Sequence, residues 1–308
     1  MQKQFRTLDE QVNILKQKGL EIDDDDYVKE VLLRENYFFI SGYRHPFLLP
    51  NSNRYIKGTN FNELYALFEF DRQLRNIIFK YILVIENNIK SIFSYELSKN
   101  YGIRENEYLN TSNFNTSRDK IKQTNDLLRK IKRQIRINGG QHSATTHYIY
   151  NYGYIPLWIV VKVLSFGIVC ELYSVLKKND QDTIAEIFNM EVNDLLLYLP
   201  LLANYRNLCA HENILYDHKT ASKIDDTPYH EKLGIKKDEE GEYIYGKNDL
   251  FSLIIILKML LREENFRLLI KEIDYEKSIL DGKLHTISGD VILDKMGFPL
   301  NFKDLMNL

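Results

Sequence analysis

Cysteine is almost missing from this chain of 308 residues, which carries only Cys170 and Cys209. That excludes a disulfide scaffold and a Cys-rich zinc site, and it fits a reducing, cytoplasmic setting. An excess of one charge is missing too. The 41 basic and 43 acidic groups leave a formal net charge of −2, which argues against a protein that coats nucleic acid indiscriminately but leaves room for a local basic groove. Clean apolar runs are short. Ile155–Cys170 and Leu250–Leu261 are interrupted by Lys162 and Lys258, and neither reaches the about 18–20 apolar residues that a spanning helix needs. The opening Met1–Arg6 lacks the apolar stretch of a signal peptide, so a soluble protein without a membrane partner is expected. The chain also lacks a Gly-rich phosphate loop, a His-Glu-x-x-His and a Gly-x-Ser-x-Gly. None of the seven histidines pairs with another at metal-ligand spacing on a helix. His142 and His147 share a polar stretch without acidic neighbours, so neither a metal nor a cofactor is expected.

What is present is helical period. Apolar residues make up 44% of the chain, enough for a real core. Thr7 to Glu10 reads as a capping box that opens a helix over 8–18. The acidic run Asp23–Asp26 reads as the start of a second helix over 25–36. Gly42, Pro46, Pro50 and Gly58 make 37–59 a loop-rich link with a short strand. Asn62–Lys99 holds neither Pro nor Gly, and its apolar residues recur in steps of three and four. Asp71/Arg75 and Glu86/Lys90 read there as i,i+4 pairs on the outer surface. A basic helix follows over 118–136, then a polar loop to Tyr154. Further helices are expected over 157–178 and 181–188, from Val192 to about Leu208 with a kink at Pro200, and over 248–273. Residues 217–247 read as a polar excursion. Trp158 reads as core, Cys209 as a small packing residue, and Tyr65, Tyr81, Tyr95 and Tyr173 as partly buried. The expected architecture is mainly α. Residues 1–60 form a loop-rich N-terminal extension, 61–275 the helical domain, and 276–308 a C-terminal appendage.

The segment Asn204 to Asn213 gathers polar groups at the end of an apolar helix. Arg206 offers a planar, permanently charged fork suited to a phosphate. His211 belongs to the one side-chain type that titrates near neutrality unaided, and Asn207 can donate or accept. Arg206 and His211 lie roughly 140° apart on an ideal helix. A single helix therefore converges them poorly, whereas two copies packed across a two-fold axis can bring two Arg and two His into one cleft. A plainer alternative stands beside this: Arg206 pairs with a carboxylate and His211 caps a helix C-terminus.

Arg206-Asn207-Leu208-Cys209-Ala210-His211 resembles the Arg-x4-His motif of the HEPN superfamily, including its polar residue after the Arg. The wider chain resembles the Abi-like abortive-infection proteins of the AbiD/AbiF type. The pieces that carry this are Gln11–Leu20, Phe70–Arg75, Ile85-Glu86, Pro156–Trp158 and Ser165–Gly167, in family order from residue 8 to about 216. The resemblance implies a HEPN-type helical bundle that dimerises around a composite, metal-independent ribonuclease site serving phage defence. It also implies a link with a small structured non-coding RNA. In that reading His211 acts as general acid or base. Arg206 stabilises the phosphorane, and Asn207 orients the phosphate or holds Arg206. Where HEPN toxins paired with nucleotidyltransferase antitoxins carry a modified Tyr, this chain has Asn213, so control of that toxin–antitoxin kind is not expected.

The helix over 118–136 carries eight basic and two acidic groups. Arg129, Lys130, Lys132, Arg133 and Arg136 are candidates for contact with an RNA backbone, against the plainer reading of a solvated face. Arg72 and Arg75 either line the same groove or make structural ion pairs. The expected function is a homodimeric endoribonuclease leaving 2′,3′-cyclic phosphate and 5′-OH ends. The alternative is a non-catalytic RNA-binding module.

Overall fold

The computed structural model describes residues 4–308; the first three residues of the N-terminal stretch read for a leader lie outside them. Among the described residues the chain is helical and forms no β-strand. In order come α1 (Leu8–Gln17), α2 (Asp25–Glu35), α3 (Tyr37–Gly42), α4 (Phe61–Tyr101), α5 (Glu105–Tyr108), α6 (Ile121–Asn138), α7 (Ser143–Tyr152) and α8 (Leu157–Val163). Then follow α9 (Phe166–Ser174), α10 (Lys178–Ile187), α11 (Val192–Ala210), α12 (Pro228–Lys232), α13 (Leu250–Leu260), α14 (Glu263–Asp281) and α15 (Gly289–Lys295). They group into two compact units. The first holds residues up to Phe79, Leu208–Lys258 and Arg262–Leu308, and the second holds Lys80–Asn207 and Met259–Leu261.

In the first unit the helix starts follow the sequence. Thr7 and Glu10 cap one another's backbone at α1, and Asp24 accepts from the amides of Asp26 and Tyr27 at α2. The link after α2 differs from expectation. Asn36 turns the chain with φ 67° and accepts from the Phe38 amide at 2.8 Å, which starts α3 where a loop was expected. The expected strand is reduced to isolated pairings such as Leu48 with Tyr55. Core packing comes from Leu64, Leu67 and Leu74 of α4, from α13, and from Phe266, Leu269 and Ile270 of α14. Leu253 to Leu257 of α13 are all fully buried, as a helix apolar on every side must be. No helix of the described residues is long and apolar enough to cross a membrane. The helix expected over 248–273 breaks at Arg262, whose ψ of 146° is extended. Glu263 and Glu264 then favour a new N-terminus through the helix dipole.

In the second unit α6 packs on α8 and α9, and α7 on α8. Leu127, Leu128 and Ile131 turn inward, and Phe93 stacks on Tyr173 with ring centroids 5.7 Å apart. Three expectations are corrected here. The polar stretch before Tyr154 contains α7, started by the His142 ring, whose Nδ1 accepts from the Ala144 amide at 3.2 Å. The helix expected over 157–178 is divided by Leu164 and Ser165, both extended. Trp158, expected as core, is 40% exposed, and Tyr95, expected to be partly buried, is 66% exposed. The helix from Val192 runs through Pro200 without interruption.

Candidate active site

The end of α11 is built by burial. Leu199, Leu202, Tyr205, Leu208 and Cys209 are buried, while Asn204, Asn207 and His211 are exposed at steps of three and four. One polar stripe therefore runs to the helix end. The helix stops through a paired hydrogen-bond turn. The Asn213 amide donates to the Leu208 carbonyl at 3.1 Å, and the Glu212 amide to the Cys209 carbonyl at 3.3 Å. Glu212 takes the left-handed conformation with φ 55°, at the position usually given to glycine in this motif. His211 is thus the C-cap, with its ring exposed. Cys209 is buried, and that burial pushes its thiol up to about 12, as fits a packing residue rather than a nucleophile.

Arg206 lies in the second unit. Its Nε donates to Glu86 Oε2 at 3.3 Å, and its side chain stays 30% exposed. The other Glu86 oxygen accepts from Lys90 Nζ at 2.7 Å, and that ammonium also donates to the Leu164 carbonyl at 3.0 Å. Glu86 is only 7% exposed. The pair expected on the outer surface is therefore buried, and its carboxylate holds Arg206. Asn207, considered for that holding role, points instead to solvent on the exposed stripe. Both features of the plainer alternative, a carboxylate partner for Arg206 and a capping position for His211, are realised. Glu86 engages Nε of the guanidinium, and His211 is exposed to water.

The other pair expected outside, Asp71 and Arg75, is buried in the first unit and ion-paired. Arg75, with its side chain 4% exposed, has no surface to offer an RNA, so the ion-pair reading replaces that one. Arg72 forks onto both Glu35 oxygens at 3.1 and 2.5 Å and lies over the Phe68 ring. It too is engaged structurally, although a third of it is exposed. Glu86, Lys90 and Asp71 were assigned no site role from sequence; the signal available was the place of Asp71 and Glu86 in the resemblance pieces Phe70–Arg75 and Ile85-Glu86, and for Lys90 its i,i+4 spacing from Glu86.

On α6 the residues Arg129, Lys130, Lys132, Arg133 and Arg136 are all exposed. A groove of about 660 Å³ is lined there by Lys122, Arg129, Lys130 and Arg133, but also by Asp119, Asp126 and Glu171. Arg129 pairs with Asp126, and Lys130 with Glu171 at 2.9 Å. Four cations against three carboxylates make this a mixed surface rather than a basic one. Such exposed pairs contribute only about 0–1 kcal/mol each, so a phosphate can displace them.

A family model described as Abi-like protein matches residues 30–217, more than half of the chain. The chain belongs to the Abi-like family. That family, named for abortive infection, connects it with this form of defence. No curated protein and no solved structure matches the chain. The Abi-like segment contains Asp71, Arg75, Glu86, Lys90, Arg206 and His211, and it ends one residue beyond Tyr216. The helices α13 to α15, the excursion after Asp217 and the piece at Gln11–Leu20 lie outside it.

Proposed function

We propose that this Abi-like protein is a metal-independent endoribonuclease of bacterial phage defence, with a HEPN-type site assembled from two copies of the chain. One observation carries this reading: the exposed stripe of Asn207 and His211 at the end of α11, next in sequence to an Arg206 gripped at Nε by a buried carboxylate. Each chain supplies one Arg-x4-His, so a two-fold pairing gives the cleft two guanidinium groups and two imidazoles. The reaction uses the substrate's own 2′-OH. One His211 takes its proton as the 2′-oxygen attacks phosphorus, and the 5′-oxygen leaves with a proton from the other His211. A 2′,3′-cyclic phosphate and a 5′-OH result. Acid–base assistance of this kind is worth ~10²–10⁴-fold. Arg206 neutralises charge on the phosphorane, a contribution of ~3–4 kcal/mol by analogy with oxyanion donors. Asn207 orients a phosphate oxygen. DNA, lacking the 2′-OH, is not cut.

The exposed cations of α6 favour a second reading, in which the protein grips an RNA, such as a small structured non-coding RNA, without cutting it. Incubation with mixed RNA in EDTA separates the two. For the nuclease, the wild type yields cyclic-phosphate ends while Arg206→Ala and His211→Ala leave RNA intact, with affinity retained in His211→Ala. Intact RNA with every protein, bound equally well, supports the second reading instead.

A further inference from the structure

Directly after His211 the chain is fastened, residue by residue, to one buried cluster of the first unit. The Asn213 carbonyl accepts from Arg75 Nη1 at 3.4 Å. Ile214 packs so tightly on Gly42 that a Cβ there would fall 2.5 Å from its Cδ1. The amides of Leu215 and Tyr216 donate to the two oxygens of Asp71 at 3.1 and 2.7 Å. The Tyr216 ring stacks on Tyr43 with centroids 5.6 Å apart. Tyr43 completes the cluster by donating its hydroxyl to Asp71 at 2.7 Å, and Arg75 pairs with the same carboxylate.

A charge buried this deeply is tolerated only when its lone pairs are met. Burial pushes the Asp71 carboxyl upward, while the Arg75 guanidinium, the Tyr43 hydroxyl and the two amides pull against it. Two of those donors are the backbone of the segment that follows His211. Between them and His211 stand only Glu212, Asn213 and Ile214, and Glu212 is held in the left-handed region that non-glycine residues avoid. A strained turn of this kind persists where its surroundings over-determine it.

We infer that Asp71, Arg75 and Tyr43 are positioning residues for His211: they clamp residues 213–216 and so fix where the imidazole stands. The inference rests on the reading of His211 as the general acid–base, and one displaced by ~1 Å loses about 10²-fold in rate.

The test is Asp71→Asn in the full chain, with the histidines isotope-labelled and the His211 ring signal assigned by its loss in His211→Ala. The expected result is a shifted or broadened His211 ring signal, unchanged signals from His142 and His147, and faster amide exchange at Leu215 and Tyr216. With RNA, kcat falls ~10–100-fold while KM stays within about twofold. An unchanged His211 signal alongside faster exchange at those amides would overturn the inference, as would an unaltered kcat. If the wild type cuts no RNA, the ring signal alone decides, so failure of the nuclease reading is told apart from failure of this one. Should Asp71→Asn not fold, Tyr43→Phe removes one donor, keeps the stacked ring, and is judged by the same signals.

Discussion

At the scale of single residues, two buried carboxylates decide what the exposed groups can do. Glu86 stands between Lys90 and Arg206, and at 7% exposure it has little water to fall back on. Removing it leaves a half-buried ammonium without its partner. Glu86→Ala is therefore expected to cost about 3–5 kcal/mol, read by urea denaturation. Glu86→Gln keeps the shape and an acceptor, so the fold should survive while the charge-assisted grip on Arg206 weakens. RNA cleavage by that variant is expected to fall ~10–100-fold with little change in affinity; an undiminished rate would make the contact structural only. A third buried group governs stability rather than chemistry. His230 is enclosed, stacks on Tyr243, accepts from the Thr227 amide at Nδ1 and faces the Gly246 carbonyl with Nε2. Burial lowers its pKa from 6.5. The native state thus binds fewer protons than the unfolded chain, and His230's contribution is present above pH 6.5 and lost as pH falls through the native value. Between pH 7.5 and 5 the unfolding free energy should drop more steeply in wild type than in His230→Gln, by up to about 1.4 kcal/mol per pH unit.

Elements add the question of which faces are covered. On α6 the inward stripe is apolar, and the outward row Lys132, Arg133 and Arg136 belongs to none of the ion pairs formed by Arg129 and Lys130 with Asp126 and Glu171. Replacing all three by Ala should weaken RNA binding at low salt and flatten the log–log salt dependence by ~0.7 per lost phosphate contact on single strands. An unchanged slope would mean that α6 is only a solvated face. At the end of α11, Glu212→Gly relieves the left-handed residue and should raise stability by about 0.5–1 kcal/mol in thermal or urea unfolding. Elements also show how far sequence carries. The 41-residue α4 was legible to within two residues at each end, because its apolar steps meet no Pro or Gly. The break at Ser165 was hidden, because the apolar run continues through it; at Arg262 the run ends, but the apolar steps resume at Phe266, Leu269 and Ile270 and masked the break. The seven residues Thr146–Tyr152 of α7 carry no Lys, Arg, Asp or Glu and so show no amphipathic contrast, and their helix was read as loop. The i,i+4 spacing of Asp71/Arg75 and Glu86/Lys90 correctly paired them but is silent on whether that face meets water. Arg206 and His211 were legible as a motif. The carboxylate that holds Arg206 was not, since 120 positions separate the two and only folding joins them.

For the whole molecule the decisive quantity is the number of chains in one working site. The sequence holds a single Arg-x4-His, and its two ends stand roughly 140° apart around an ideal helix. One chain thus supplies a single imidazole, whereas the proposed transfer needs a base for the 2′-OH and an acid for the 5′-oxygen. A second copy related by a two-fold axis supplies the other, in the commonest symmetry of soluble assemblies. Exchange of subunits turns this into arithmetic. When wild type is mixed with His211→Ala and allowed to equilibrate, a site that needs both histidines survives only in pairs of two wild-type chains. Activity then follows the square of the wild-type fraction, so an equal mixture retains about a quarter of the activity of undiluted wild type. Independent chains would retain about half. The same mixture made with Arg206→Ala asks whether both guanidinium groups are required. A quadratic fall for His211 with a linear one for Arg206 would keep the dimeric acid–base pair and assign phosphorane stabilisation to one chain at a time. A linear fall for both would remove the second copy from the chemistry and leave each chain to act alone.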